Sequence, residues 1–278
     1  MLSNLAVSIV CYNSNPYLVA CTIRSLDIAA GNAKRSGVLD RLKLILVDNG
    51  EERRKSLEDI LEKREIHCHH INDISLMSGH GNIGYGRGHN LAIQRNHFDY
   101  HLVLNPDVLL AEDSLIEGLV FLNQNPGLGL LAPSAVDHEG NRLYLCKRFP
   151  TVFDLLLRGF APVWFKRIFV NKLEHYELRD VIRDKVVWDI PIVSGCFMLL
   201  RTKVLIEING FSPVFFLYFE DFDLSLRVSK VARIAFVPSV RITHFGGHAS
   251  KKGWRHIMMF LGSAVSFFNR HGWRWFKA

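Results

Sequence analysis

Three short polar clusters carry the side chains best suited to chemistry, and each follows an apolar run. Tyr12-Asn13-Ser14-Asn15 follows Leu5–Cys11, Asp48-Asn49-Gly50 follows Leu42–Val47, and Asn105-Pro106-Asp107 follows His101–Leu104. A carboxylate on a short rigid loop, as at Asp107, can bind a divalent cation through oxygen, and such a cation can neutralise a diphosphate. N-P-D is equally the composition of an ordinary turn. A fourth cluster, Glu220-Asp221-Phe222-Asp223, sets three carboxylates among Phe215, Phe216, Tyr218 and Phe219. Apolar surroundings raise a carboxylate's pKa and strengthen it as a base. Acidic residues also suit a helix N-terminus, and one carboxylate can cap while another does chemistry. Arg227, one turn after Asp223, is placed to pair with it. His244 and His248 flank Gly246-Gly247; imidazoles there can ligate a metal, bind a phosphate oxygen or be structural.

Ser78–Asn90 holds five glycines, with a literal G-x-G-x-x-G at Gly79, Gly81 and Gly84. A dinucleotide fingerprint belongs at the turn after the first strand, and that turn, Cys11–Asn15, has no glycine. The run reads instead as backbone closing over a nucleotide or sugar, with Arg87 and Asn90 supplying side chains.

The elements that must position these residues alternate. Strands are expected at Leu5–Cys11, Leu42–Val47, Ile66–Ile71 and His101–Leu104, with helices near Pro16–Ala30, Glu52–Arg64 and Arg87–Asn96. Such alternation implies an α/β fold with a parallel sheet covered on both faces, whose ligands bind beyond the carboxyl ends of the strands. The three polar clusters lie at those ends. Further on come an apolar run within Val186–Leu200, a helix ending near Ser229, and a strand Ala232–Val237 leading to Ile242–His248. No repeat or linker interrupts the chain.

The composition is that of a globular protein: 278 residues, 49% apolar, 22% charged. The net charge of +7 is unevenly placed. Residues 251–278 carry Lys251, Lys252, Arg255, Arg270, Arg274 and Lys277 without an acidic residue, and the rest is nearly neutral. This argues against a nucleic-acid binder. The five cysteines are scattered, which excludes a disulfide framework and fits a reducing compartment. No signal peptide or membrane-spanning stretch is evident. Trp254, Met258, Leu261, Val265 and Phe268 recur at helical spacing beside basic residues. That pattern suits either a helix lying in an anionic membrane surface or one packed on the domain.

Taken in order, the motifs resemble those of inverting glycosyltransferases of family 2 with the GT-A fold. The matching pieces are Val7-Ser-Ile-Val-Cys-Tyr-Asn-Ser14, Leu46-Val-Asp-Asn-Gly50, Gly81-Asn-Ile-Gly-Tyr-Gly-Arg-Gly-His-Asn90 and Leu104-Asn-Pro-Asp107. Ser194-Gly-Cys-Phe-Met-Leu-Leu-Arg201, Asn209-Gly-Phe211 and Phe216-Leu-Tyr-Phe-Glu-Asp-Phe-Asp-Leu224 follow. The chain looks most like bacterial rhamnosyltransferases of O-antigen and cell-surface polysaccharide assembly, and Lys147-Arg-Phe-Pro-Thr-Val-Phe-Asp154 matches that subgroup. One departure is Val187 before Trp188, where the subgroup usually has an acidic residue.

The resemblance implies a GT-A domain over residues 1–250, with a Rossmann-like nucleotide half, a mixed central sheet and a continuous acceptor half. A basic amphipathic helix over 251–278 would follow. It implies that Val10, Tyr12, Asn13 and Asp48, with Gly84, Arg87, Asn90, Asn105, Ser194 and Gly195, meet a nucleotide-sugar. It makes Asp107 a ligand of Mg2+ or Mn2+ with His244, and Asp221 the general base, flanked by Glu220 and Asp223. The expected donor is dTDP-β-L-rhamnose and the acceptor a sugar hydroxyl on a lipid-linked or lipopolysaccharide molecule. The enzyme would sit in the cytoplasm, peripheral on the inner face of the membrane. The alternatives are the same fold with a UDP-sugar, and a nucleotide-binding surface protein without turnover.

Overall fold

The computed structural model describes residues 2–50, 68–94, 98–246 and 253–276. The helix expected over 52–64 and His248 lie outside the described residues, as do Lys251, Lys252 and Lys277.

The chain begins β1 (Ser3–Cys11), α1 (Pro16–Arg35), β2 (Leu39–Asp48), β3 (Asp73–Met77), α2 (Tyr85–Ile93), β4 (Tyr100–Leu104), β5 (Val108–Leu110), α3 (Ser114–Gln124) and β6 (Leu128–Val136). It continues β7 (Arg142–Leu143), β8 (Cys146–Lys147), α4 (Val152–Phe160), α5 (Val163–Ile168), α6 (Val170–Tyr176), β9 (Val187–Trp188), β10 (Ile192–Val193) and β11 (Phe197–Arg201). It ends α7 (Thr202–Glu207), α8 (Glu220–Val228), β12 (Arg233–His244) and α9 (Trp254–His271).

The main sheet runs β3-β2-β1-β4-β11-β6-β12-β5. Its first half is parallel as expected, with Cys11 opposite Asp48 and Ile9 opposite Leu104. The three polar clusters therefore leave the sheet at one edge. The second half is mixed, because β11 runs antiparallel to both β4 and β6. The apolar run of β1 is buried on both faces. Leu5, Val7 and Ile9 pack with α1 and α3 on one side, and Ala6 and Val10 pack near α2 on the other.

Three elements differ from the sequence reading. Residues 66 and 67 of the strand expected at Ile66–Ile71 lie outside the described residues. His69, His70 and Ile71 form a loop because the buried carboxylate of Asp27 accepts their amides, and a strand follows at Asp73–Met77. The helix expected from Arg87 starts at Tyr85 and ends at Ile93. The strand expected at 232–237 runs on through Ile242 to His244 as one strand, β12, with a register shift between Val237 and Arg241.

Between β1, α2 and β4 lies a buried polar trio. The Ser8 hydroxyl stands 2.7 Å from His89 Nδ1 and 2.8 Å from His101 Nε2. Burial lowers the pKa of both histidines, that of His101 to about 3. At the other end of the chain, α9 packs on the domain rather than standing apart from it. Ala264, Phe267 and Phe268 are buried with Leu155, Phe215 and Phe219. All five cysteines are free thiols.

Candidate active site

The Asn-Pro-Asp loop is fixed from two sides. Thr22 of α1 donates its hydroxyl to the Pro106 carbonyl at 3.0 Å, and the Asn105 amide donates to Cys196 at 2.9 Å. Because β5 begins at Val108 and pairs there with His244, the ladder itself brings that histidine to Asp107. Nε2 of His244 lies 3.4 Å from Oδ1 of Asp107. That buried oxygen has no hydrogen bond of acceptable geometry, which is unusual for a native carboxylate. A Cβ on Gly246 would stand 2.5 Å from His244 Nε2 and 2.7 Å from Asp107 Oδ2, so only glycine leaves the pair uncovered. An unpaired carboxylate oxygen, an imidazole nitrogen and open space between them are a donor set suited to a divalent cation. Among the described residues no group of three or more His, Cys, Asp or Glu converges. A cation at this pair would complete its coordination with ligands from outside the protein.

Asp221 occupies the first turn of α8. Its Oδ2 accepts the Gly195 amide and its Oδ1 the Phe222 amide, each at 2.9 Å. These bonds aim the carboxylate and leave it lone pairs to spare. Burial raises the pKa of Asp221 despite them. Burial, then the charge of Asp221, raises that of Glu220, whose Oε2 is buried without a hydrogen bond. Two consecutive left-handed residues, Tyr218 at φ 71° and Phe219 at φ 65°, deliver the chain into this turn. Such a conformation is costly outside glycine and persists only when its surroundings hold it. Here α9 does so. The Tyr218 hydroxyl stands 3.1 Å from His256 Nδ1, Ser263 donates to the Leu217 carbonyl at 2.8 Å, and the Phe219 ring meets Phe260 and Phe267, each at 5.2 Å.

Asp223 has a different task. It is fully buried, pairs with Arg227 at 2.7 Å as expected, and also accepts from His271 of α9 at 2.9 Å. It ties two helices together.

Tyr85, which sequence reasoning quoted only within a motif, joins the two centres. Its hydroxyl donates to the Gly195 carbonyl at 2.6 Å and lies 3.0 Å from Asn105 Oδ1. The charges of both Asp107 and Asp221 reach Tyr85 and Cys196. An aromatic residue set between Gly84 and Gly86 was the available signal.

Of the other expected contacts, Tyr12 is exposed and Asn13 is left-handed at the end of β1, while Asp48 caps its own turn through the Gly50 amide at 2.8 Å. Ser194 and Gly195 lie beside Asp221, with the Ser194 amide spent on Leu145. The side chain of Val10 is in the core, beneath Gly88. Asn90 requires a correction: both ends of its amide bond the Phe211 backbone at 2.8 Å, so it clamps the segment over the glycine run instead of reaching for a ligand. Arg87 likewise donates to the Pro213 carbonyl. Gly84, at φ 92°, lets Phe216 approach to where a Cβ would meet its carbonyl at 2.4 Å.

No protein-family profile matches the chain. Solved structures with the same fold include GalNAc-T7 with UDP, GalNAc and Mn2+ (TM-score 0.65, 12% identity, 96% of this chain and 48% of that one). A mannosyltransferase of Pyrobaculum calidifontis with GDP-Man and Mn2+ is similar (TM-score 0.62, 16% identity, 96% and 65%). By sequence the chain is similar to the rhamnosyltransferase WbbL of Escherichia coli, 26% identical over 222 residues and 76% of each chain. It is also similar to an N-acetylglucosaminyl-diphospho-decaprenol L-rhamnosyltransferase of Mycobacterium tuberculosis, 27% identical over 158 residues, 55% of this chain. It spans about half the length of the mycobacterial relative, the matched part being 48% of that protein. With this sheet order and these neighbours, the chain is a glycosyltransferase of the GT-A fold. Among such enzymes it resembles the rhamnosyltransferases of family 2.

Proposed function

We propose that this protein transfers L-rhamnose, with inversion, from dTDP-β-L-rhamnose to a sugar hydroxyl of a lipid-linked or lipopolysaccharide acceptor. The observation carrying this reading is the pair of unlike centres, Asp107–His244 and Asp221, joined through Asn105, Tyr85 and Gly195. In it, Asp221 accepts the proton of the acceptor hydroxyl as that oxygen attacks the anomeric carbon. The bond from that carbon to the diphosphate breaks, its electron pair leaves with the diphosphate, and a single in-line displacement inverts the centre. The amides of Gly195 and Phe222 hold the base in place for this step. Asp107 and His244 would hold Mg2+ or Mn2+, which when bound neutralises charge on the leaving diphosphate. Both structural neighbours named above carry Mn2+. The exposed ends of β1, β2 and β4, with Tyr12, Asn13 and Asp48, would receive the nucleoside. The acceptor reading draws on the mycobacterial relative, whose name specifies a diphospho-decaprenol substrate. Among the described residues no helix is long and apolar enough to cross a membrane, and the reading places the enzyme peripherally on the inner face through α9.

Asp221→Asn is expected to fold normally and lose about 10²–10⁴-fold in kcat, the usual contribution of a positioned base. Near-wild-type transfer by that variant would remove Asp221 from the role. Donor choice is tested separately by thermal shift with dTDP, UDP and GDP in the presence of Mn2+, since a ligand of the native state raises its stability. The largest shift is expected with dTDP; a larger one with UDP would favour a UDP-sugar donor.

A further inference from the structure

The apolar stripe on α9 does not stand alone. Its inner residues are buried, yet Trp254 is 71% exposed, and Met258 and Leu261 are open to solvent with it. A second patch lies on the short helix α5, where Trp164 is 65% exposed and Ile168 66%. The two patches are joined. Phe276, just beyond α9, meets Phe153 at 6.0 Å, Phe153 meets Phe169 at 5.2 Å, and Phe165 stands between Phe169 and Trp164 at 5.1 and 5.5 Å. The backbone seals the junction, with the amides of Val152 and Phe153 donating to Arg274 and Trp275 at 2.8 and 3.2 Å.

Charge follows the same two segments. Residues 155–173 contain Arg158, Lys166, Arg167 and Lys172 and no acidic residue, as residues 251–278 also contain none. Lys172 pairs with Asp154 and Arg158 with Glu177, but Lys166 and Arg167 of α5 have no carboxylate partner among the described residues. Exposed tryptophans and aliphatics beside such cations match the boundary of an anionic bilayer. The aromatic rings along the junction pack on one another, which leaves no open stacking platform of the kind a nucleic acid needs.

We infer that α5 and α9 together form one bilayer-docking surface for anionic lipid, with α5 its second contact. The inference extends the C-terminal contact proposed above and rests on that reading. One flank of the surface, α9, braces the turn that carries Asp221. On the other flank the charge of Arg158 of α4 reaches Asp221. The surface therefore lies beside the turn that carries the base.

The experiment is partition of the full chain onto vesicles of phosphatidylcholine with and without phosphatidylglycerol, read by co-sedimentation. The wild type is expected on anionic vesicles only. Trp164→Glu with Ile168→Glu should weaken binding by about tenfold or more, with an unchanged rate of donor hydrolysis in vesicle-free solution. Lys166→Gln with Arg167→Gln, a milder change, should weaken it about three- to tenfold and flatten its dependence on salt. Binding of both α5 variants at wild-type strength overturns the inference. A loss confined to Met258→Glu with Leu261→Glu would then leave the C-terminal contact standing by itself. Failure of the wild type to bind any vesicle overturns both.

Discussion

Glu220 is the residue whose environment makes the sharpest demand. Its carboxyl is buried, lacks a hydrogen bond at Oε2 and borders the charge of Asp221. A carboxyl with a raised native pKa favours the fold below its unfolded pKa and costs stability as pH rises through the native value. Glu220→Gln should therefore raise the melting temperature at pH 8 and leave it nearly unchanged at pH 4, as calorimetry at the two values would show. The charge of Asp221 raises the pKa of Glu220 and not the reverse, so Asp221 gives up its proton first. The acid limb of the transfer rate, expected above the ordinary carboxylate range because burial raises Asp221, should therefore stay in place in the variant. A limb that moved would make Glu220 part of the base. Spacing pairs Asp223 with Arg227, and the resemblance puts the base at Asp221, but neither tells how the three carboxylates are held. Only the fold assigns one carboxylate to the Gly195 amide, one to a dry pocket and one to His271.

Among the elements, the strands of the first half were legible because apolar runs ending in Asn, Asp, Pro and Gly have few other readings. The position of Asp107 at a strand end was legible for the same reason. The pairing of β5 with the end of β12 was not, since it joins segments more than 130 residues apart, Val108 with His244. Nor could spacing reveal that Asn90 serves Phe211. The trio of Ser8, His89 and His101 lies between β1, α2 and β4, and both imidazoles are buried neutral. A histidine with a depressed native pKa contributes its full stability above the unfolded value and loses it as pH falls. Each such residue costs about 2 kcal/mol at pH 5 relative to neutral pH. Chemical denaturation at pH 7 and pH 5 should show a steep loss, and His101→Asn should flatten it. Equal slopes in wild type and variant would mean that the trio protonates in the native state.

Across the whole molecule, one core runs along the sheet from β3 to β5. The turn that carries Asp221 leans on α9, whose His271 is a partner of a fully buried carboxylate. Arg227 and Arg270 still face Asp223 in the absence of that histidine. His271→Ala therefore loses one hydrogen bond to a charged group and should cost about 1.5–3 kcal/mol, lowering the melting temperature accordingly. A variant as stable as wild type would mean that α9 contributes little to the fold.

The brace that α9 provides also bears on the order in which the protein is made. Residues 254–271 leave the ribosome after everything they hold, including the left-handed pair Tyr218 and Phe219. The nucleotide half can complete its core while the chain is still growing. The turn bearing Asp221 waits for the last helix, so a nascent chain would recognise its donor before it could use it.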